Sequence, residues 1–366
     1  MDVLRVRSLS KFLFIKRRLY ALYLFTRFSV IGFSAMLPLF GAATAVGRLT
    51  VAQIIGLLGI GITFHCFAYV LNDVIDLPVD RKEPLRADYP LVRGVVSRST
   101  ALAFALLQIP IAYVLLAVLG GTGLAYMWLT LSLVFLAAYN CWGKRCFCPF
   151  LTDFVQGCGW SALAICGASA LSQTVWPLML VPFVFFTVYV IMINGVHGSL
   201  RDLPNDFAQG VRSMAIQLGS RPKTNGGVYV SRRLKVYALV LQVLLSSVAI
   251  LPVMYSWLSY RSMVSITAGI LTVAVLILAF SLLIVAAMPG ITRTRAMTVG
   301  FFHMIVVPVA MITLFSDRMG SQLVSITLLV YVVPYLLSQT MFRAVWVPGC
   351  RKGISLTKRL VAIVRV

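Results

Sequence analysis

The chain is 366 residues long, 60% apolar and only 11% charged, with a mean hydropathy of +0.95. Such a composition excludes an ordinary soluble domain and points to an integral membrane protein, because about 20 consecutive apolar residues cross the hydrocarbon of a bilayer. A formal net charge of +22 would suit nucleic-acid binding, but the placement of the charges excludes it.

In chain order, a basic stretch over 1–19 precedes ten apolar runs at roughly 20–46, 51–75, 99–119, 123–142, 150–172, 175–197, 234–257, 263–288, 296–315 and 321–342, and a basic tail over 343–366. The first run is too long for the core of a signal peptide and reads as a retained helix. With a cytoplasmic N-terminus and alternating spans, 28 of the 32 Lys and Arg residues fall in cytoplasmic segments or at the adjoining span ends. The opposite face holds only Arg48, Arg261 and Arg318, while Arg27 sits inside the first span. This is the positive-inside bias, and it predicts that both termini are cytoplasmic. Some of these cations are expected to meet anionic lipid headgroups. No Gly/Ser linker divides the chain, so residues 1–366 read as one all-helical membrane domain.

Two of the cytoplasmic loops are long, at roughly 76–98 and 198–233. They open on the words DLPVD (76–80) and DLPND (202–206), which lie 126 residues apart. Of the 10 Asp and Glu residues, eight gather at that face: Asp73, Asp76, Asp80, Glu83, Asp88, Asp153, Asp202 and Asp206. On a helix, Asn72, Asp76 and Asp80 share one face, and Asp202 and Asp206 repeat the spacing. Like charges so placed repel unless a cation lies between them. Ligands that are all oxygen suit Mg²⁺, which keeps waters and shares its shell with phosphates. Arg86, Arg201 and Arg212 stand close to these acids in sequence, and guanidinium forks match phosphate oxygens. An apolar bundle with such a clamp at one end implies a substrate with a long apolar chain and a diphosphate head. Pro78 and Pro204 predict a helix break inside each word. His65, His197 and His303 read as hydrogen-bonded packing residues, with His197, just before the second word, the best placed to meet substrate or order Arg201. Cys141, Cys146 and Cys148 form no CxxC pair and read as reduced thiols.

These residues resemble the two aspartate-rich motifs of the UbiA superfamily of intramembrane prenyltransferases. Asn72, Asp73, Asp76 and Asp80 match its NDxxDxxxD motif; Pro84-Leu85-Arg86 and Gly94 to Ser97 match the P-x-R and G-x-x-S that follow. Asp202, Asp206, Gly210, Ser213 and Leu218-Gly219 correspond to the second motif. Tyr139 and Lys144 resemble the YxxxK of the family with one extra residue between them, which leaves Lys144 and Arg145 as alternatives. The resemblance covers residues 20–290. It implies an all-α integral membrane bundle of nine to ten transmembrane helices around a central cavity. It also implies a Mg²⁺-dependent transfer of an isoprenoid from a prenyl diphosphate to an aromatic or other small or lipid acceptor, with release of diphosphate. Asn72, Asp76, Asp80, Asp202 and Asp206 would hold metal, with Asp76 and Asp202 central to the chemistry and Asp73 behind them. Arg86, Lys144 and Arg201 would bind diphosphate; Tyr139, Arg145, His197 and Arg212 are further candidates. Partners would be the prenyl diphosphate, an acceptor and membrane lipids, with no nucleic acid and no obligate protein partner. A membrane terpene cyclase of the same superfamily is the alternative. A secondary transporter is the remote one, because its ionisable residues belong near the midplane.

Overall fold

A computed structural model describes residues 19–82, 86–143, 146–173, 178–224, 227–286 and 293–346. The basic stretch before residue 19 and most of the tail lie outside the described residues. A short helical stretch over 19–25 turns sharply into a 3₁₀ turn, Phe28–Val30, and then into α1, Ile31–Val46. There follow α2 (Val51–Asp80), α3 (Arg98–Val118), α4 (Gly123–Trp142), α5 (Pro149–Leu171) and α6 (Leu180–Met192). A π turn, Ile193–Gly198, joins α6 to α7 (Ser199–Gln209). Beyond come the short α8 (Met214–Gln217) and a two-stranded antiparallel ribbon pairing Arg221–Pro222 with Val228–Tyr229. The chain closes with α9 (Arg232–Met254), α10 (Met263–Ala286), α11 (Arg293–Leu314) and α12 (Ser316–Trp346).

Among the described residues nine helices are long and apolar enough to cross a membrane, and Thr298–Leu314 of α11 is a shorter apolar helix. The ten runs read from sequence are thus nine full spans and one shorter helix. Helix is the only form such segments can take, because backbone N–H and C=O groups find no water in hydrocarbon. Polar caps mark the starts: Thr50 and Gln53 exchange the two bonds of a capping box on α2, and Ser97, Thr122 and Ser231 cap α3, α4 and α9.

α1 and α5 form the centre. α1 is buried without a break from Gly32 to Thr44 and packs on α2, α5 and α12, while α5 packs also on α4 and α6. Lipid tails are as apolar as leucine, so close contact rather than water exclusion holds such helices together. Small residues permit that contact. A Cβ added to Gly41 would lie 1.8 Å from the Ala164 carbonyl oxygen, and one added to Gly167 would lie 2.0 Å from that of Pro38. Around the crossing, Phe33, Phe64 and Trp160 meet edge to face, with the Phe33 and Phe64 ring centroids 5.7 and 5.1 Å from that of Trp160. The outer helices carry the exposed apolar side chains, among them Val114 and Val118 of α3 and Ile270 and Ile277 of α10.

The two acidic words ride on surplus helix. α2 has 30 residues, about 45 Å of rise against a hydrocarbon thickness of about 30 Å. The continuous helical run Leu180–Gln209 has the same 30. Each word therefore extends beyond the length that crosses the bilayer. The break expected at Pro78 and Pro204 does not occur, since α2 continues to Asp80 and α7 to Gln209. Pro78 is exposed and two residues from the helix end, and Pro204 follows the wide π turn, so each helix loses one hydrogen bond and keeps its course. α7 then stops at Gly210, whose φ of 67° is left-handed.

Candidate active site

At this end of the bundle a cavity of about 450 Å³ opens between α2, α4, α5, α7 and the chain before α1. Asn72, Asp76, Asp80, Arg86, Tyr139, Arg201, Asp202, Asp206 and Arg212 all line it. The two words, 126 residues apart in sequence, therefore meet across one space. Val30, Leu136, Trp160 and Met304 contribute apolar surface to its lining. The volume lies in the range of small-molecule sites.

On α2, the Asn72 amide nitrogen donates to Asp76 Oδ2 at 2.9 Å and to Asn140 Oδ1 at 3.3 Å. Asn140 in turn donates to the Ala68 carbonyl at 2.9 Å, which ties the last turn of α4 to α2. Tyr139 thus sits on that last turn, in α4 rather than in the following loop. Asn72 Oδ1 accepts from Arg27 Nη2 at 3.2 Å.

Arg27 is the cavity-lining cation that sequence periodicity does not single out. Its guanidinium forms an ion pair with Asp73, lies 5.1 Å from the centroid of the Tyr69 ring and lines the cavity. Its backbone is left-handed, with φ 44° and ψ 45°, a conformation that costs a non-glycine residue about 1 kcal/mol or more. The turn is held by His65, whose Nε2 donates to the Thr26 carbonyl at 2.8 Å while its Nδ1 accepts from Ser34 Oγ at 2.8 Å. The available signal was a lone arginine inside an apolar span, which by default marks function.

On α7, Arg201 grips Asp202 with both arms of its fork, Nε to Oδ1 at 2.7 Å and Nη2 to Oδ2 at 2.6 Å. The Arg86 guanidinium stacks 4.6 Å from the centroid of the Tyr89 ring. Asp73, held by Arg27, is not among the lining residues, and neither is His197. His197 instead packs on His303, with Nε2 3.1 Å from His303 Nδ1, and His303 Nε2 lies 2.8 Å from Gln242 Oε1. Lys144, Arg145, Glu83, Pro84 and Leu85 lie outside the described residues.

Among the described residues no three His, Cys, Asp or Glu side chains gather closely enough to hold a metal ion by themselves. Mg²⁺ does not demand such a cage, since one or two carboxylates with waters and substrate phosphates complete its shell. Charge supports the same donor set. The two acidic words bring four aspartates (Asp76, Asp80, Asp202, Asp206) into the described lining beside four guanidiniums (Arg27, Arg86, Arg201, Arg212). A diphosphate drawn in by the guanidiniums would meet the aspartates as like charge, which a divalent cation between them offsets. Oxygen ligands on two facing elements fit Mg²⁺.

The UbiA prenyltransferase family model matches residues 30–230. Comparison with curated protein sequences gives no significant match. Among solved structures, one of digeranylgeranylglyceryl phosphate synthase superposes with a TM-score of 0.59 at 17% identity, covering 82% of this chain and 98% of the other. A UbiA homologue from Aeropyrum pernix K1 superposes with a TM-score of 0.58 at 20% identity, covering 77% and 96%. Another, from Archaeoglobus fulgidus bound to GPP and Mg²⁺, gives 0.58 at 11% identity, covering 82% and 99%. The fold is shared with all three. With the family model matching more than half of its length, this chain belongs to the UbiA prenyltransferase family, a family of membrane-embedded helical proteins.

Proposed function

We propose that the protein is a Mg²⁺-dependent intramembrane prenyltransferase that moves an isoprenoid from a prenyl diphosphate to an aromatic or other small or lipid acceptor. The observation that carries this reading is the meeting of both acidic words and four arginines in one cavity that apolar side chains also line. That an Archaeoglobus fulgidus relative of the same fold binds GPP and Mg²⁺ supports it.

In this reading Asn72, Asp76, Asp80, Asp202 and Asp206 hold Mg²⁺, which supplies neutralisation of the charge that builds on the departing diphosphate. Arg86, Arg201 and Lys144, with Arg212, orient the diphosphate oxygens. Arg27 adds a fixed positive charge on the opposite side of Asn72, its geometry set by Asp73. The isoprenoid lies against Trp160, Leu136 and Met304, and their apolar surface excludes water from the allylic carbon. The positive-inside distribution supports a cavity mouth and both termini on the cytoplasmic side.

The test is diphosphate release from geranyl, farnesyl or geranylgeranyl diphosphate by the detergent-purified protein, with product analysis. Release is expected with Mg²⁺ and is expected to stop in excess chelator. Undiminished turnover in chelator would sink the metal assignment. A cyclic hydrocarbon formed from the prenyl diphosphate alone would instead identify a cyclase.

A further inference from the structure

One wall of the cavity belongs to neither acidic word. On the second turn of α5, Asp153 lines the cavity although only 8% of its surface is exposed. It forms no ion pair among the described residues, and Asn194 on the π turn lies beside it. Asn194 donates to Gln156, one turn along α5, and both line the cavity. A buried carboxylate without a cationic partner is costly and rarely idle.

The surroundings of Asp153 are closely fitted to it. The π turn brings Gly195 against it, and a Cβ there would sit 3.2 Å from Asp153 Oδ2 and 3.3 Å from Tyr237 Oη. π turns recur at functional sites. From α9, outside the cavity lining, the Tyr237 hydroxyl reaches this point buried and without a hydrogen-bond partner. The wall therefore offers an acceptor (Asp153), two amides (Gln156 and Asn194) and a nearby unmet hydroxyl. Its described residues include no cation: the lining residues of α5 and the π turn contain no Lys or Arg, and the described lining arginines lie on other segments.

We propose that this wall binds the prenyl acceptor, and that the acceptor is a neutral hydroxyl-bearing molecule, a phenol or an alcohol, not a carboxylate or phosphate ester. The inference rests on the prenyl-transfer reading above. An anionic acceptor would meet Asp153 with no counter-charge among the described residues of that wall, whereas a hydroxyl can hydrogen-bond to it. In the transfer, the allylic C1–O bond breaks and diphosphate leaves with the electron pair. The acceptor's oxygen or ring carbon bonds to C1, and the proton it loses passes to the Asp153 carboxylate, which returns it to solvent as products leave.

The experiment uses the full chain in detergent with Mg²⁺ and radiolabelled geranyl, farnesyl and geranylgeranyl diphosphates. The acceptors are hydroquinone and para-hydroxybenzoate, rings of similar size that differ in charge. The wild type is expected to favour hydroquinone by about tenfold or more in kcat/KM. Asp153→Asn is expected to lower transfer to hydroquinone by about 100-fold, while prenyl diphosphate binding by calorimetry and acceptor-independent diphosphate release stay unchanged. Asp153→Glu should restore part of the transfer. Equal use of the two acceptors, transfer to neither, unchanged transfer by Asp153→Asn, or loss of diphosphate binding in that variant would each overturn the proposal. If the wild type neither binds nor cleaves any prenyl diphosphate, the functional reading itself falls; intact cleavage with an unaffected Asp153→Asn variant removes only this inference.

Discussion

Two aspartates that look alike in sequence have opposite physical positions. Asp73 is buried and paired with the largely buried Arg27 guanidinium, with side-chain exposures of 6% and 13%. Asp202 and its partner Arg201 are 36% and 47% exposed. Removing one member of a buried pair strands the other, so Asp73→Ala is expected to cost about 3–5 kcal/mol and to lower the melting temperature sharply. The exposed pair is screened by solvent, so Asp202→Ala is expected to change stability by no more than about 1 kcal/mol. Its activity should nevertheless fall by about 100-fold or more, as a lost transition-state contact does. Melting curves without Mg²⁺, run beside diphosphate-release assays, separate the two effects. A stable Asp73→Ala protein would show that Arg27 finds another partner. An active Asp202→Ala protein would remove the second word from the chemistry.

At the scale of elements, the site depends on how closely α1 and α5 approach. The backbone of each helix occupies the place a side chain would take on the other. Gly41→Ala must push the helices apart, and by analogy with overpacked cores it should cost about 1–3 kcal/mol or more. Thermal unfolding in detergent measures this directly, and an unchanged midpoint would mean that the crossing is looser than described. A second device holds α11. Pro308 lacks the N–H that would bond the Met304 carbonyl, and that oxygen accepts instead from Tyr189 and Tyr331 hydroxyls, both at 2.7 Å. Met304, which lines the cavity, is thereby fixed by α6 and α12. Tyr189→Phe should cost about 1 kcal/mol, read by the same melting assay, because Tyr331 still serves the carbonyl.

For the whole molecule, the charge asymmetry predicts orientation. A cysteine introduced at Arg93, in the loop after α2, should react with an impermeant maleimide only once the membrane is opened from the cytoplasmic side, whereas one at Arg261 should react from outside. The reverse pattern would overturn the proposed topology while leaving the site intact. Each apolar run must be a helix, since its backbone can be satisfied in lipid only from within the segment. For that reason the membrane class, the order of the spans and the two acidic words were legible from sequence. So was the family, from Asn72, Asp76, Asp80, Asp202 and Asp206 in their spacing. The fate of the prolines was not: propensity predicts a break, and the placement of Pro78 at an exposed helix end overrides it. Nor does periodicity show that Arg27 grips Asp73, 46 residues on, or that Asp153 faces the cavity beside Asn194, 41 positions away. Those meetings follow from where helices cross, and the crossings are set by the contact of small residues such as Gly41 and Gly167, which have no period in the sequence. The chain alone determined which segments enter the membrane, because that is a local balance of apolar length and backbone hydrogen bonding. Only the tertiary structure decided which buried charges meet, because that depends on helix packing at ångström scale.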